Sequence, residues 1–79
     1  MTPKQLDVRR ILMGRQIATI RAEKGLTQMA VAKKVGLQRS NIARIERGKY
    51  PVGMDIIVKI LDVLDQDIFF WPKKLKEQA

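Results

Sequence analysis

The sequence contains no cysteine and no histidine, and only four of its 79 residues are aromatic. Without cysteine there can be no disulfide, zinc–thiolate site or thiol nucleophile. Without histidine the chain lacks the usual general base near neutral pH and the commonest metal ligand. Long apolar runs are missing too. The longest, such as Met29–Ala32 and Ile68–Trp71, have four residues, against about 20 for a membrane-spanning helix. The N-terminal Met1-Thr2-Pro3-Lys4-Gln5 leads into charged sequence rather than the apolar core of a secretion signal. These absences lead us to expect a cytoplasmic domain with no catalytic activity, no metal, no cofactor and no membrane contact. A chain this short forms one small domain and buries only about 60% of its unfolded surface, so dimerisation is an expected further source of stability.

What the sequence has is positive charge: 16 Lys and Arg against 8 Asp and Glu, a net charge of +8. The expected partner is therefore an anion, with nucleic acid ahead of a membrane surface. The charge is also uneven. Asp55, Asp62, Asp65 and Asp67, half of all the acids, fall within residues 54–67, opposed there only by Lys59. The fold should thus have a basic side and an acidic side, and the basic side is the one to meet a polyanion. Asp65-x-Asp67 does not open a calcium loop, because Phe70 stands at the required glycine position and Lys76 at the required glutamate.

The apolar spacing of Ile11, Leu12, Met13, Ile17 and Ile20 predicts a first helix over about Asp7–Lys24, weakened by Gly14 and stopped by Gly25. Thr2-Pro3 offers an earlier cap, so residues 1–10 are either an arm or an extension of that helix. Thr27 caps a second helix, Gln28–Val35, with Val31, Ala32 and Val35 on one face and Gly36 at its end. The turn Gly36-Leu37-Gln38 opens a third helix, Arg39–Arg47, closed by Gly48, with Leu37 and Ile42 spaced as a hydrophobic staple. A fourth helix over Met54–Leu64 carries Ile57, Ile60, Leu61 and Leu64 as a core stripe. Ile56 and Val63 form a second stripe on it, more than one buried face requires. The tail, residues 69–79, is aromatic and then basic, and Ile68–Trp71 has the composition of a short strand.

Two helices joined by a three-residue turn containing glycine, the second with a basic outer face, form a helix-turn-helix arrangement. At about 100° per residue, Ser40, Ala43, Arg44 and Arg47 are expected opposite Ile42 and Ile45, with Arg39 and Asn41 flanking the start of the helix. Arg39 and Arg44 can reach guanine O6 and N7, and Ser40 or Asn41 a base edge or phosphate. Glu46, four residues after Ile42, and Arg21, four after Ile17, both fall on inward faces. They are expected to form a buried ion pair between the first and third helices. Lys33 and Lys34 are read as solubilising or as distant phosphate contacts, and Tyr50 either touches phosphate or packs in its loop.

The spacing Ile17-x-x-Ile20-Arg21-x-x-Lys24-Gly25-Leu26-Thr27-Gln28, Val31-Ala32-x-x-Val35-Gly36 and Ile42-x-x-Ile45-Glu46-x-Gly48 resembles the Cro/C1-type (XRE-like) helix-turn-helix family of bacterial and phage transcription regulators. The likeness covers residues 12–68. It implies an all-α, lambda-repressor-like bundle of four to five helices, the last replaceable by a short C-terminal strand. It implies a homodimer on a palindromic operator, with residues 11–68 as the DNA-binding domain. Residue by residue, Arg39, Ser40 and Arg44 fall where the family reads bases, with Gln38 at the edge of that set. Thr27, Gln28, Asn41, Arg47 and Lys49 fall where it touches the DNA backbone, and Gln28 also where it braces the reading end of the third helix. Arg21 and Glu46 match the family's internal ion pair.

Ala30 stands where a Glu often completes a capping box with Thr27, and Gln38 where Ser or Thr is the commoner cap. The second stripe and the tail nominate Ile56, Val63, Ile68, Phe69, Phe70 and Trp71 for a dimer interface, although the aromatics could equally fold back on their own core. The resulting expectation is a sequence-specific regulator, acting as a repressor. The alternatives are an antitoxin paired with a toxin, a restriction-modification controller, or an adaptor that binds a partner protein through the aromatic tail.

Overall fold

The structure, a computed structural model, describes residues 1–49 and 51–68. Among these residues there are four helices and no strand: α1 (Pro3–Glu23), α2 (Gln28–Val35), α3 (Arg39–Glu46) and α4 (Met54–Val63). Tyr50 and the tail, including Phe69, Phe70 and Trp71, lie outside the described residues. So does most of the expected C-terminal strand.

Helix α1 starts four residues before the position set by apolar spacing. Residues 1–9 are all exposed, so burial gives no periodicity there. The start is instead local. The Thr2 hydroxyl accepts from the Gln5 backbone N–H (3.1 Å), the Thr2 backbone N–H donates to the Gln5 side chain (2.9 Å), and Pro3 occupies the first turn. Thr27 caps α2 by accepting from the Ala30 N–H (3.0 Å), while Gln38 holds the extended cap conformation at α3 without a side-chain hydrogen bond.

All four helices end alike. Beyond α1, α2, α3 and α4 the chain turns left-handed at Gly25, Gly36, Gly48 and Asp65, and the next N–H reaches back to the carbonyl of Arg21, Ala32, Arg44 and Leu61 respectively. Asp65 is the only non-glycine residue with positive φ (60°) among those described. It also places an acid at the negative end of a helix dipole. Asp65→Gly is therefore expected to stabilise the fold by about 1 kcal/mol, less what glycine loses by greater freedom in the unfolded chain. A rise of a few degrees in melting temperature checks it.

The core is formed by Ile17 of α1, Val31, Ala32 and Val35 of α2, Ile42 and Ile45 of α3, and Ile57, Ile60 and Leu64 from α4 and its cap. Fully burying each large aliphatic side chain contributes roughly 1.5 to 3 kcal/mol. Ile56, Leu61 and Val63 are half-buried against this core, so the second stripe of α4 is partly used within the domain. Leu12, expected to face inward, is instead 53% exposed.

Gly14 has a role that the sequence reading assigned to weakness. It is buried, and a Cβ built there would stand 2.4 Å from the Ile45 carbonyl oxygen and 2.6 Å from that of Glu46. Gly48 makes a second close approach, its missing Cβ falling 2.7 Å from the Ile11 backbone. The end of α3 and its turn thus rest directly on the backbone of α1, at two points where no side chain fits.

Candidate nucleic-acid interface

Helix α3 divides into two faces. Ile42, Ala43, Ile45 and Glu46 are buried, an arc of roughly 160° at about 100° per residue. Ala43, expected on the outer face, belongs to this inner one. Its small side chain lets α3 sink further into the bundle than a face of Ile42 and Ile45 alone would. The remaining arc carries Ser40, Arg44 and Arg47, all exposed, with Asn41 half-buried at its border, while Arg39, exposed in the first turn, stands on the Glu46 side of the helix. Gln38 is exposed at the N-terminal cap and Lys49 just after the C-terminal turn. No acid interrupts this surface, because Glu46, the single acid of α3, is turned inward with 7% of its area exposed. Exposed Lys33 and Lys34 lie in the last turn of α2, where they complement the helix dipole.

The inward acid meets Arg21. Arg21 Nε donates to Glu46 Oε2 (2.6 Å) and Nη2 to Oε1 (3.0 Å), a two-pronged pair, while Nη1 donates to the Leu26 carbonyl (2.8 Å). Three elements are tied by one guanidinium: α1, the turn before α2, and α3. The hydrogen bond to Glu46 raises the Arg21 pKa above its ordinary value, aided by the carboxylate's charge and opposed by burial. A raised arginine pKa keeps the Arg21 guanidinium charged through the physiological range, so the arginine side adds no pH dependence there.

Two further bonds extend this network, one of them a brace of Gln28 on the start of the third helix. Gln28, half-buried at the start of α2, donates from Nε2 to Glu46 Oε1 (2.9 Å), and its Oε1 accepts from Arg39 Nη1 (3.1 Å). Arg39 and Glu46 stand seven residues apart, two turns on one side of α3, and the Gln28 amide spans the gap. That seven-residue spacing was the available signal. An amide gives no sign in sequence of which group it will face.

Of the residues expected to touch DNA, Gln38, Arg39, Ser40, Arg44, Arg47, Thr27 and Lys49 are exposed, and Gln28 and Asn41 are half-buried at the edges of that surface. All nine belong to α3, the first turn of α2 or the caps and turns that flank these helices. Such a surface, basic and free of acids, suits a polyanion. Among the described residues no helix is long and apolar enough to cross a membrane.

Comparison with known proteins agrees with this geometry. The model of the helix-turn-helix domain family matches residues 12–68. An HTH-type transcriptional regulator of Archaeoglobus fulgidus, named as uncharacterised, is 37% identical over 62 residues, which cover 75% of this chain and 89% of the relative. A similarly named protein of Methanocaldococcus jannaschii is also 37% identical over 62 residues, covering 75% of this chain and 94% of its own. Among solved structures, the restriction-modification controller protein C.AhdI of Aeromonas hydrophila superposes with a TM-score of 0.73 at 32% identity, over 76% of this chain and 91% of that one.

Proposed function

The chain belongs to the helix-turn-helix domain family of DNA-binding transcription regulators, and on that premise we propose that it is a sequence-specific repressor working as a homodimer on a palindromic operator. The observation that carries the reading is the acid-free outer face of α3, held against α1 by a buried ion pair on the opposite face of the same helix. In this reading α3 enters the major groove. Arg39, Ser40 and Arg44, with Gln38 beside them, read bases, and Thr27, Gln28, Asn41, Arg47 and Lys49 hold the DNA backbone. Two copies place their α3 helices about 34 Å apart, one turn of B-DNA. Ile56, Val63 and Ile68, with the aromatic residues that follow, form the contact between copies. The chemistry is binding alone, in the cytoplasm, with no catalysis, metal or cofactor.

Base readers and backbone anchors separate by experiment. Arg39→Ala is expected to cost about 1 to 3 kcal/mol on the selected operator and to relax preference at one base pair. Lys49→Ala is expected to weaken operator and random duplex alike, with a shallower salt dependence. Equal losses for both substitutions on both DNAs would contradict the assignment.

A second reading within the same class, a restriction-modification controller, is favoured by the likeness to C.AhdI. It shares the DNA chemistry and differs in which genes the operator adjoins. An antitoxin would differ by forming a stable complex with a toxin, and an adaptor by binding DNA only weakly and without sequence preference.

A further inference from the structure

The hydrogen bonds from Arg21 to Arg39 have a direction. Arg21 can only donate, so Glu46 accepts. Glu46 can only accept while ionised, so Gln28 must turn its NH2 group inward and its oxygen outward. The outward oxygen is then an acceptor, and Arg39, which can only donate, is held on it through Nη1. Resting on the reading of Arg39 as a base contact, we propose that buried Glu46 is a positioning residue for DNA recognition. By fixing which way the Gln28 amide faces, it presents the Arg39 guanidinium in one orientation before DNA arrives, with its other N–H groups free for two acceptors on a single base.

Glu46 sits under the bundle, with 7% of its area exposed, and has no route of its own to DNA. Its influence passes only through the amide. An Arg39 held on one side is already partly ordered, so less rotamer freedom is lost when it forms a bidentate contact.

The test inverts the polarity without removing a group. Exchanging the pair, Arg21→Glu with Glu46→Arg, keeps opposite charges between α1 and α3 but sets a donor-only guanidinium beside Gln28; Glu46→Gln alone would not, because an amide oxygen in place of Oε1 still accepts from both Arg21 Nη2 and Gln28 Nε2. The Gln28 amide then flips and turns its own NH2 toward Arg39, donor against donor. The expected result, in selections from a random duplex pool, is a loss of about tenfold in preference at the base pair identified by Arg39→Ala. Adding Gln28→Glu restores an acceptor facing both neighbours, and the triple variant is expected to recover the wild-type preference while binding every duplex more weakly, since its new carboxylate stands at a backbone anchor. If the exchanged protein keeps that preference, or the triple variant fails to recover it, the relay is wrong.

Where the exchanged protein does not fold, Gln28→Leu keeps the Arg21–Glu46 pair and cuts the link to Arg39. It is expected to weaken all duplexes, as the loss of a backbone anchor does, and in addition to relax preference at the Arg39 base pair; a uniform loss with that preference intact would overturn the proposal. Should the wild type select no consensus, the DNA reading fails, but the relay remains testable in the free protein. The guanidinium resonances of Arg39 should shift in the exchanged protein and return when Gln28→Glu is added. Resonances indifferent to these substitutions would overturn it.

Discussion

Glu46→Ala should lower the unfolding free energy by about 3 to 5 kcal/mol, which for a domain of this size corresponds to a fall in melting temperature of roughly 15 to 30 °C. The size follows from what is left behind. Arg21 keeps its charge but loses the carboxylate that accepts from its Nε and Nη2, and the Gln28 NH2 group loses its acceptor at the same time. Removing one member of a buried pair costs far more than the pair contributes, because the survivor stays charged in a poorly solvated place. Replacing both, as in Arg21→Met with Glu46→Leu, removes the stranded charge and should recover most of the loss. The recovery stays incomplete by about 1 to 2 kcal/mol, since the Leu26 carbonyl and the Gln28 amide lose their partners. Thermal unfolding of the two variants beside the wild type decides it. A Glu46→Ala protein melting at the wild-type temperature would mean that the pair is not buried in solution.

Gly14→Ala is the second large effect, and helix propensity alone gives the opposite sign. In an isolated helix alanine is better than glycine by about 1 kcal/mol. Here the added methyl would lie 2.4 Å from one carbonyl oxygen of α3 and 2.6 Å from the next, both of them backbone atoms that no rotamer change can move. Helices α1 and α3 must separate, which strains the Arg21–Glu46 geometry and opens the contact of Gly48 on Ile11. The net expectation is a loss of about 2 to 3 kcal/mol, read as a lower midpoint in urea with an unchanged slope. A stabilised Gly14→Ala protein would show that the close approach of α1 to α3 is absent.

These two sites mark what can and cannot be read from a single sequence. The ion pair was legible because both partners lie one turn beyond an inward isoleucine, Arg21 after Ile17 and Glu46 after Ile42, and periodicity alone sets that. The start of α2 at Gln28, the end of that helix at Val35 and the start of α3 at Arg39 were legible because Thr27, Gly36 and Gln38 act within a few residues of chain. Gly14 was not. A helical glycine looks the same whether it weakens a helix or admits a neighbouring backbone, and the neighbour is some thirty residues away. Ala43 failed for a related reason, since a small apolar residue fits either face and only the depth of α3 in the bundle assigns it. The early start of α1 was missed because a self-capped helix with no tertiary contact leaves no hydrophobic trace. The resemblance implies the brace of Gln28 on Arg39, but nothing in the sequence marks its bond to Glu46, because side-chain amides can serve as donor or acceptor and their neighbours choose. The residues proposed to contact DNA follow from the exposed surface of α3 and its flanking turns.

The central claim is that the outer face of α3 reads a DNA sequence in a pair of copies. The most direct measurement is selection from a random duplex pool by the purified protein at near-physiological salt, with sedimentation to count the chains bound. The account predicts a palindromic consensus with half-sites one helical turn apart, bound by two chains, in which Arg39→Ala erases preference at a symmetric pair of positions. Binding without enrichment, equally sensitive to salt on every sequence, would contradict it and leave the basic face as a nonspecific polyanion surface.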